Sequence, residues 1–443
     1  MVTYNTPTRP IGNITILTLI LLSSCSRVSA TTIPNNSTLP YFTSNQTLPQ
    51  YALDFAPLVY LHSDEVFWPS DVNTHFDNVQ PQINFSSVQS APQTTQDFLR
   101  SSNIQKIDSS QQELIYLSAK EPIFDLDSAP WLRGVGPPDK SGKSAAAAII
   151  IAVDKTQQGL SFIFAISYVI VFPVHTDATY FPCKLTFCRL SYSSVGPGWV
   201  DVFYLFFYSY NRGNYFYNNR FGDHVADWEN TMIRFQNGKP MYVTPEAHGG
   251  QVMLGNSAFK YDILEHSNGR PVVYSANGTH GMYPQAGQQN YTGLPVAIYD
   301  VTDKGHLWDP KMNYQSFFYS NEKGFSYTAD TPIQQQDPEK LGWLKFLGYW
   351  GDQKLELSNP HQTCIGPMCF YEGGPLGPQS KSLSRGWICG SSDCQPQSTM
   401  PTILRPGGQR YNSPYSSSPT TRLTSLCGIV LSLLASYGVH LIF

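Results

Sequence analysis

Carboxylates and imidazoles recur at short spacing in Gly222-Asp223-His224-Val225-Ala226-Asp227-Trp228-Glu229, and again soon after in Glu246-Ala247-His248. Between the two lies Asn237-Gly238, flanked by Thr231-Met232-Ile233-Arg234-Phe235 and Met241-Tyr242-Val243. Asn-Gly between alternating apolar runs is a strong hairpin signal, because both central residues of a type I′ turn need positive φ. A two-residue turn there sets Glu229 opposite Glu246 and Asp227 opposite His248, all on one face, since opposed strand residues point the same way. Facing carboxylates repel, more so when buried, and require a proton or a cation between them. A divalent metal between them meets that need, and His224, just before the strand, reaches the same point, giving His-x-x-Asp-x-Glu (His224, Asp227, Glu229) plus Glu-x-His (Glu246, His248). Carboxylates with one or two imidazoles suit Ca2+, Mg2+ or Mn2+ better than structural zinc. The plainer reading is a polar strand end with surface carboxylates and a hydrogen-bonded histidine. Pro240 and Pro245 bear on the register, because a residue without an N–H implies an edge strand or a bulge.

The elements that must position these residues are strands. Charged and aromatic residues each make up 14% of the 443-residue chain, with 33 glycines and 33 prolines. Low charge, many rings, many turn formers and short alternating runs predict an all-β fold, a two-sheet β-sandwich with long loop embellishments and one short helix. Strands are expected at Ala56 to Leu61, Ala145 to Val153, Trp199 to Tyr208, Pro271 to Ala276 and Leu294 to Val301. The helix is expected from Asp337 to Phe346, with Asp337 as cap and Pro338 in the first turn. His62-Ser63-Asp64-Glu65 and Pro69-Ser70-Asp71 read as caps and turns, or as a second group of ligands. A formal charge of −4 offers no basic patch, which argues against nucleic acid as a partner.

The ends of the chain suggest a route through the secretory pathway. Residues 1–30 have the layout of a signal peptide, with Arg9, an apolar run from Ile11 to Leu22, and Val28-Ser29-Ala30 at the cleavage site. Residues 31–50 read as a glycosylated, disordered arm, 51–395 as the ectodomain, and 396–418 as a Ser/Pro-rich linker holding the anchor site. Residues 419–443 resemble the removed tail of a glycolipid-anchor signal, with a single transmembrane helix as the competing reading. Sequons occur at Asn35, Asn36, Asn45, Asn84, Asn277 and Asn290. Beyond Cys25 and Cys427, which fall in the removed segments, six cysteines form three Cys-x4-Cys pairs: Cys183/Cys188, Cys364/Cys369 and Cys389/Cys394. They are expected as disulfides, six cysteines allowing fifteen connectivities, with the cysteines from Cys364 to Cys394 stapling the C-terminal segment. Residues 156–195 contain the apolar run Leu160 to Phe172, too short to span a membrane comfortably and too apolar for a surface loop. A translated, unspliced intron explains that segment. A membrane-dipping insertion is the alternative.

Tyr208-Ser209-Tyr210-Asn211-Arg212-Gly213, Gly222 to Glu229, Glu246-Ala247-His248-Gly249 and Tyr274-Ser275-Ala276-Asn277-Gly278-Thr279-His280 together resemble the fungal vacuolar protein sorting-associated protein 62 family. Leu61 to Asp71 and Gly377 to Arg385 fit the same resemblance, whereas residues 156–195 interrupt it. More distantly, His-x-x-Asp-Trp-Glu, Ala-His-Gly and Thr-His resemble the necrosis- and ethylene-inducing cytolysins. Those are secreted β-sandwiches whose heptapeptide binds a divalent cation and which attack plant membranes through sphingolipid headgroups. Carried over by position, this second resemblance implies His224, Asp227 and Glu229 as metal ligands and His248 and His280 as neighbours. Asn211 stands near the place of a further aspartate there, as a neutral oxygen ligand.

Three functions follow from these residues. The first is a cation-bearing binding module for a glycan or lipid headgroup, with aromatic side chains as stacking surfaces. The second is a metal-dependent hydrolase of wall glycan or phosphoester, with Glu246 as general base and His248 or His280 as general acid. The third is a structural surface protein in which the cation pins the hairpin to its sheet. The expected location is the cell surface or wall, held by a lipid anchor, with the vacuole as alternative.

Overall fold

The computed structural model describes residues 42–43, 45–88, 92, 94–155, 198–216, 219–247, 257–291, 298–389 and 395–401. The longest strands are Trp199–Asn211 and His224–Gln236, paired antiparallel along their whole length. They form the middle of a seven-stranded sheet. Lys239–Glu246 and Phe259–Lys260 flank them on one side, and Ala148–Asp154, Tyr314–Ser320 and Gly324–Tyr327 on the other. A five-stranded sheet packs on it, built from His266–Ser267, Arg270–Ser275, Leu58–Leu61, His306–Trp308 and Met282–Tyr283. The predicted two-sheet, all-β sandwich is the observed architecture.

Alternation along the central strands sends Val202, Tyr204, Phe206, Ile233 and Phe235 into the core between the sheets, where they meet Val59, Leu61, Val273 and Trp308. The other parity, Phe203, Leu205, Phe207, Trp228 and Met232, packs under loops and short helices that bring Phe76, Phe98, Phe346, Trp350 and Leu383. Both faces of the large sheet are therefore buried. Such strands read as continuous apolar runs, as Ala148–Asp154 and Trp199–Asn211 do. Each large side chain so buried contributes about 1.5–3 kcal/mol.

Helices are more numerous than the single one expected. Pro338–Leu341 is a 3-10 turn capped by Asp337 and continued by the α-turn Gly342–Lys345. Val72–Asn78 is a second helix, whose N-cap Asp71 accepts from the Thr74 amide at 2.9 Å, so Pro69-Ser70-Asp71 is a cap as read. Gln50–Asp54, Thr95–Phe98, Ser101–Ile104 and Ser109–Gln112 are one turn each, too short for periodicity to reveal. Packing also extends upstream of Tyr51. Leu48 is buried, with its amide bonded to Asp330, and Phe42 stacks on Phe318.

A buried charge cluster fastens the C-terminal segment to the outer face of the large sheet. Asp201 receives both Nε (2.6 Å) and Nη2 (2.7 Å) of Arg234, with Lys155 Nζ at 3.5 Å. Lys155 in turn donates to the carbonyls of Leu383 (2.8 Å) and Arg385 (3.0 Å). Burial pulls the Lys155 ammonium down to about 8, against the opposing charge of Asp201.

Cys364 is bonded to Cys369, one of the three Cys-x4-Cys pairs, because Cys364–Ile365 and Met368–Cys369 form a hairpin that sets the two cysteines face to face. Cys389 is also disulfide-bonded. Residues 1–30, the tail 419–443, the 156–195 segment with Cys183 and Cys188, His248 and Cys394 all lie outside the described residues.

Candidate functional site

The Asn237-Gly238 turn forms as read, with φ of 49° and 76°, and Lys239 pairs with Gln236 and Pro240 with Phe235. One residue further the register slips, so that Tyr242 pairs with Arg234 and Glu246 with Asn230. Pro240 has no N–H to continue the ladder, and Met241 becomes the extra residue of a bulge. With a side-chain period of two, a one-residue slip turns every later side chain to the other face. Glu246 consequently does not oppose Glu229. It pairs with Arg385 (2.5 Å) and accepts from Asn230 Nδ2 (3.0 Å) on the outer face of the sheet.

Asp227 and Glu229 point the other way, toward the smaller sheet. There His280, fully buried at φ 53°, places Nδ1 at 2.9 Å from Asp227 Oδ2 and Nε2 at 3.1 Å from the Phe67 carbonyl. With acceptors at both nitrogens, the ring is an imidazolium donating twice. Glu65 stands 3.7 Å from Nε2. Burial alone would push this imidazole down, but Glu65 and Asp227 overcome it and raise it to about 10. Burial pushes the Glu65 carboxyl up, and the charge of His280 with the amides of Gly278 and Phe67 brings it below its ordinary value. Tyr208 covers the imidazolium face to face, with centroids 3.7 Å apart and planes 4° apart. Such a ring attracts a cation held over its face.

Gly278 makes this turn close. Its amide donates to Glu65 Oε2 at 2.8 Å, its φ is 73°, and a Cβ would meet the Arg212 carbonyl at 2.8 Å. Beside the turn, Asp300 accepts from Asn214 Nδ2 (2.8 Å), Thr279 Oγ1 (2.8 Å) and Tyr283 OH (2.7 Å). Glu229 is buried and its charge acts on Tyr208, Tyr283 and Tyr291, whose hydroxyls burial has already pushed well above the ordinary tyrosine value. Glu65, Asp227, Glu229 and Asp300 thus share one region with His280. A cleft of about 280 Å³ lies over it, lined by Arg212, Asn214, Tyr215, Asn277 and Tyr299.

The expected ligand residues are placed differently from one another. Asp227 is committed to His280. His224 is half-buried with Nδ1 at 2.7 Å from the Ala226 carbonyl, and Asn211, opposite it in the ladder, donates to the Gly222 carbonyl at 2.8 Å. His280, with both nitrogens occupied, has no lone pair for a metal. Among the described residues, no three His, Cys, Asp or Glu side chains are grouped to hold a metal ion. The described side chains therefore do not form a cation cage by themselves. Glu246 and His280 occupy opposite faces of the large sheet, and His248, the other expected acid, lies outside the described residues.

Glu65 lies in the stretch that reads as caps and turns or as a second group of ligands, Asp300 lies at a strand end, and 213 positions separate Gly278 from Glu65. No short-range pattern spans that distance. Proximity arises because Leu58–Leu61 and Arg270–Ser275 are parallel neighbours, so the segments that follow them emerge side by side.

The chain is 29% identical over 371 residues to the putative vacuolar protein sorting-associated protein TDA6 of Saccharomyces cerevisiae, covering 77% of this chain and 68% of that protein. It is 28% identical over 374 residues to vacuolar protein sorting-associated protein 62 of the same yeast, with the same coverage. Both similarities support the resemblance to the vacuolar protein sorting-associated protein 62 family. No family model and no solved structure matches. In a chain related to these sorting-associated proteins, the Tyr274 to His280 stretch that first suggested the kinship is the turn carrying Gly278 and His280.

Proposed function

We propose that this chain is a ligand-binding β-sandwich of the secretory pathway, tethered by a C-terminal glycolipid and acting in vacuolar protein sorting by holding a glycan or lipid headgroup. The observation that supports this reading is a gathering of carboxylates beneath the cleft: among the described residues, Glu65, Asp227, Glu229 and Asp300 share one region with His280. Carboxylates held close together and sheltered from water draw a cation, whether Ca2+, Mg2+ or Mn2+ or the ammonium of a headgroup. The proposal includes a divalent ion at His224, Asp227, Glu229 and Asn211. Tyr215 and Tyr299, both exposed, offer ring faces at the rim for a sugar.

The test is bound metal by elemental mass spectrometry on the purified protein, beside an Asp227→Ala, Glu229→Ala double variant, followed by headgroup and glycan screening with and without chelator. Stoichiometric Ca, Mg or Mn lost in the variant supports the cation. Headgroup binding indifferent to chelator supports the cleft without the metal. Neither metal nor binding in a folded protein overturns the proposal. It would favour a second reading, a structural network, which the donors already around Asp300 and Glu65 support.

A further inference from the structure

On another side of the molecule, a cleft of about 250 Å³ lies between the hairpin Val79–Ile83 / Ser86–Ser87 and the segment from Asp352 to Glu372. Phe85, Ile123, Phe124, Leu355 and Tyr371 wall it, and Asp352 and Gln353 supply polar groups. Two of its rings are left to solvent, Phe85 at 46% and Phe124 at 36% exposure. Phe124 is fixed in place, stacked on His361 (3.9 Å, 6°) and edge-on to Tyr371 (5.3 Å, 79°). Gln353 Oε1 is buried and finds no hydrogen-bond partner among the described residues. A buried carbonyl left so requires a donor from elsewhere. Rigid exposed rings beside an acceptor that wants a donor suit a pyranose, whose C–H face packs on rings while its hydroxyls and acetamido N–H donate.

The hairpin tip that supplies Phe85 is itself a sequon, Asn84-Phe85-Ser86. Asn84 (φ 49°) and Phe85 (φ 61°) form its two-residue turn, and Asn84 and Ser86 are exposed. We propose that Asn84 carries an N-glycan whose first N-acetylglucosamine residues seat in this cleft against Phe85, Phe124 and Tyr371, with Gln353 Oε1 accepting from the sugar. In the attachment step, the Asn84 amide nitrogen displaces diphosphate from the anomeric carbon of a lipid-diphosphate-linked oligosaccharide. A C–N bond replaces the C–O bond, and the amide proton passes to a base of the transferring enzyme. The tether is the residue next to Phe85 of the cleft wall, so the sugar acts at an effective concentration of roughly millimolar and needs no high intrinsic affinity. The inference rests on entry into the secretory pathway and is independent of the cleft over His280.

Full-length protein made in a glycosylating host is mapped by site-specific mass spectrometry. Native endoglycosidase H release at Asn84 is then timed in wild type, Phe124→Ala and Gln353→Ala. Phe124 is exposed and Gln353 lies outside any strand or helix, so two independent variants guard against misfolding. The expected result is a glycan at Asn84 released at least tenfold more slowly in wild type than in either variant. An unmodified Asn84, or equal rates in all three proteins, overturns the proposal. So does tight binding of free N,N′-diacetylchitobiose by Asn84→Gln together with an unprotected wild-type glycan, which would assign the cleft to sugar from another molecule.

Discussion

At the scale of single residues, His280 carries the most consequence. It holds a positive charge up to about pH 10 because Glu65 and Asp227 flank it in a buried site. His280→Ala leaves two buried carboxylates without their cation, and urea denaturation is expected to show a loss of about 3–5 kcal/mol. A loss below 1 kcal/mol would mean the charge is matched by something else. Asp352 gives a pH signature of its own. Burial pushes its carboxyl up from 3.8 to about 6, so the folded state binds the proton more tightly than the unfolded state. Stability from this group is therefore full at low pH and falls as pH rises from about 4 through about 6. Asp352→Asn should remove that decline, seen as the difference between the two proteins' stability curves over pH 3–8. A variant curve parallel to wild type would contradict the shift.

At the scale of elements, the hairpin shows both what local pattern reveals and where it stops. Asn237-Gly238 specified the turn through its backbone preference, and period-two alternation specified the strands. The face on which Glu246 emerges depended on a bulge at Met241, whose existence Pro240 signalled but whose place it did not. The even-numbered face of His224–Gln236 reaches the C-terminal segment through Arg234, which also donates to the carbonyls of Gly386 (3.3 Å) and Trp387 (3.2 Å). Asp201→Ala leaves the buried Arg234 and Lys155 without their carboxylate and is expected to cost about 3–5 kcal/mol. Proteolysis should then release the segment beyond Leu383 first. Unchanged protease resistance would show that Asp201 does not fasten it.

At the scale of the whole molecule, the flanks of residues 156–195 bear on whether that segment belongs to the fold. Asp154 pairs with Val200, and the Lys155 amide donates to the Trp199 carbonyl at 2.9 Å. The ladder thus stays closed up to the last described residue on each side. Joined directly, Lys155 and Gly196-Pro197-Gly198 would connect the two strands by an ordinary short hairpin loop. A chain lacking 156–195 is expected to fold with a melting temperature at or above that of the full chain, since a shorter loop lowers closure entropy. Aggregation of the deleted protein would mark the segment as integral.

The sequence by itself determined the strands, their class and the turn between the two acidic stretches, because alternation and Asn-Gly act within a few residues of chain. It also carried the kinship with the sorting-associated proteins, in motifs readable without coordinates. Only the tertiary structure decided the company each polar residue keeps. Glu65 and His280 meet because their strands are parallel neighbours far apart in sequence, and Glu246 leaves Glu229 because one proline cannot donate a hydrogen bond. Spacing along a chain fixes neither kind of proximity, since both depend on which strand lies beside which and on a register that one inserted residue reverses.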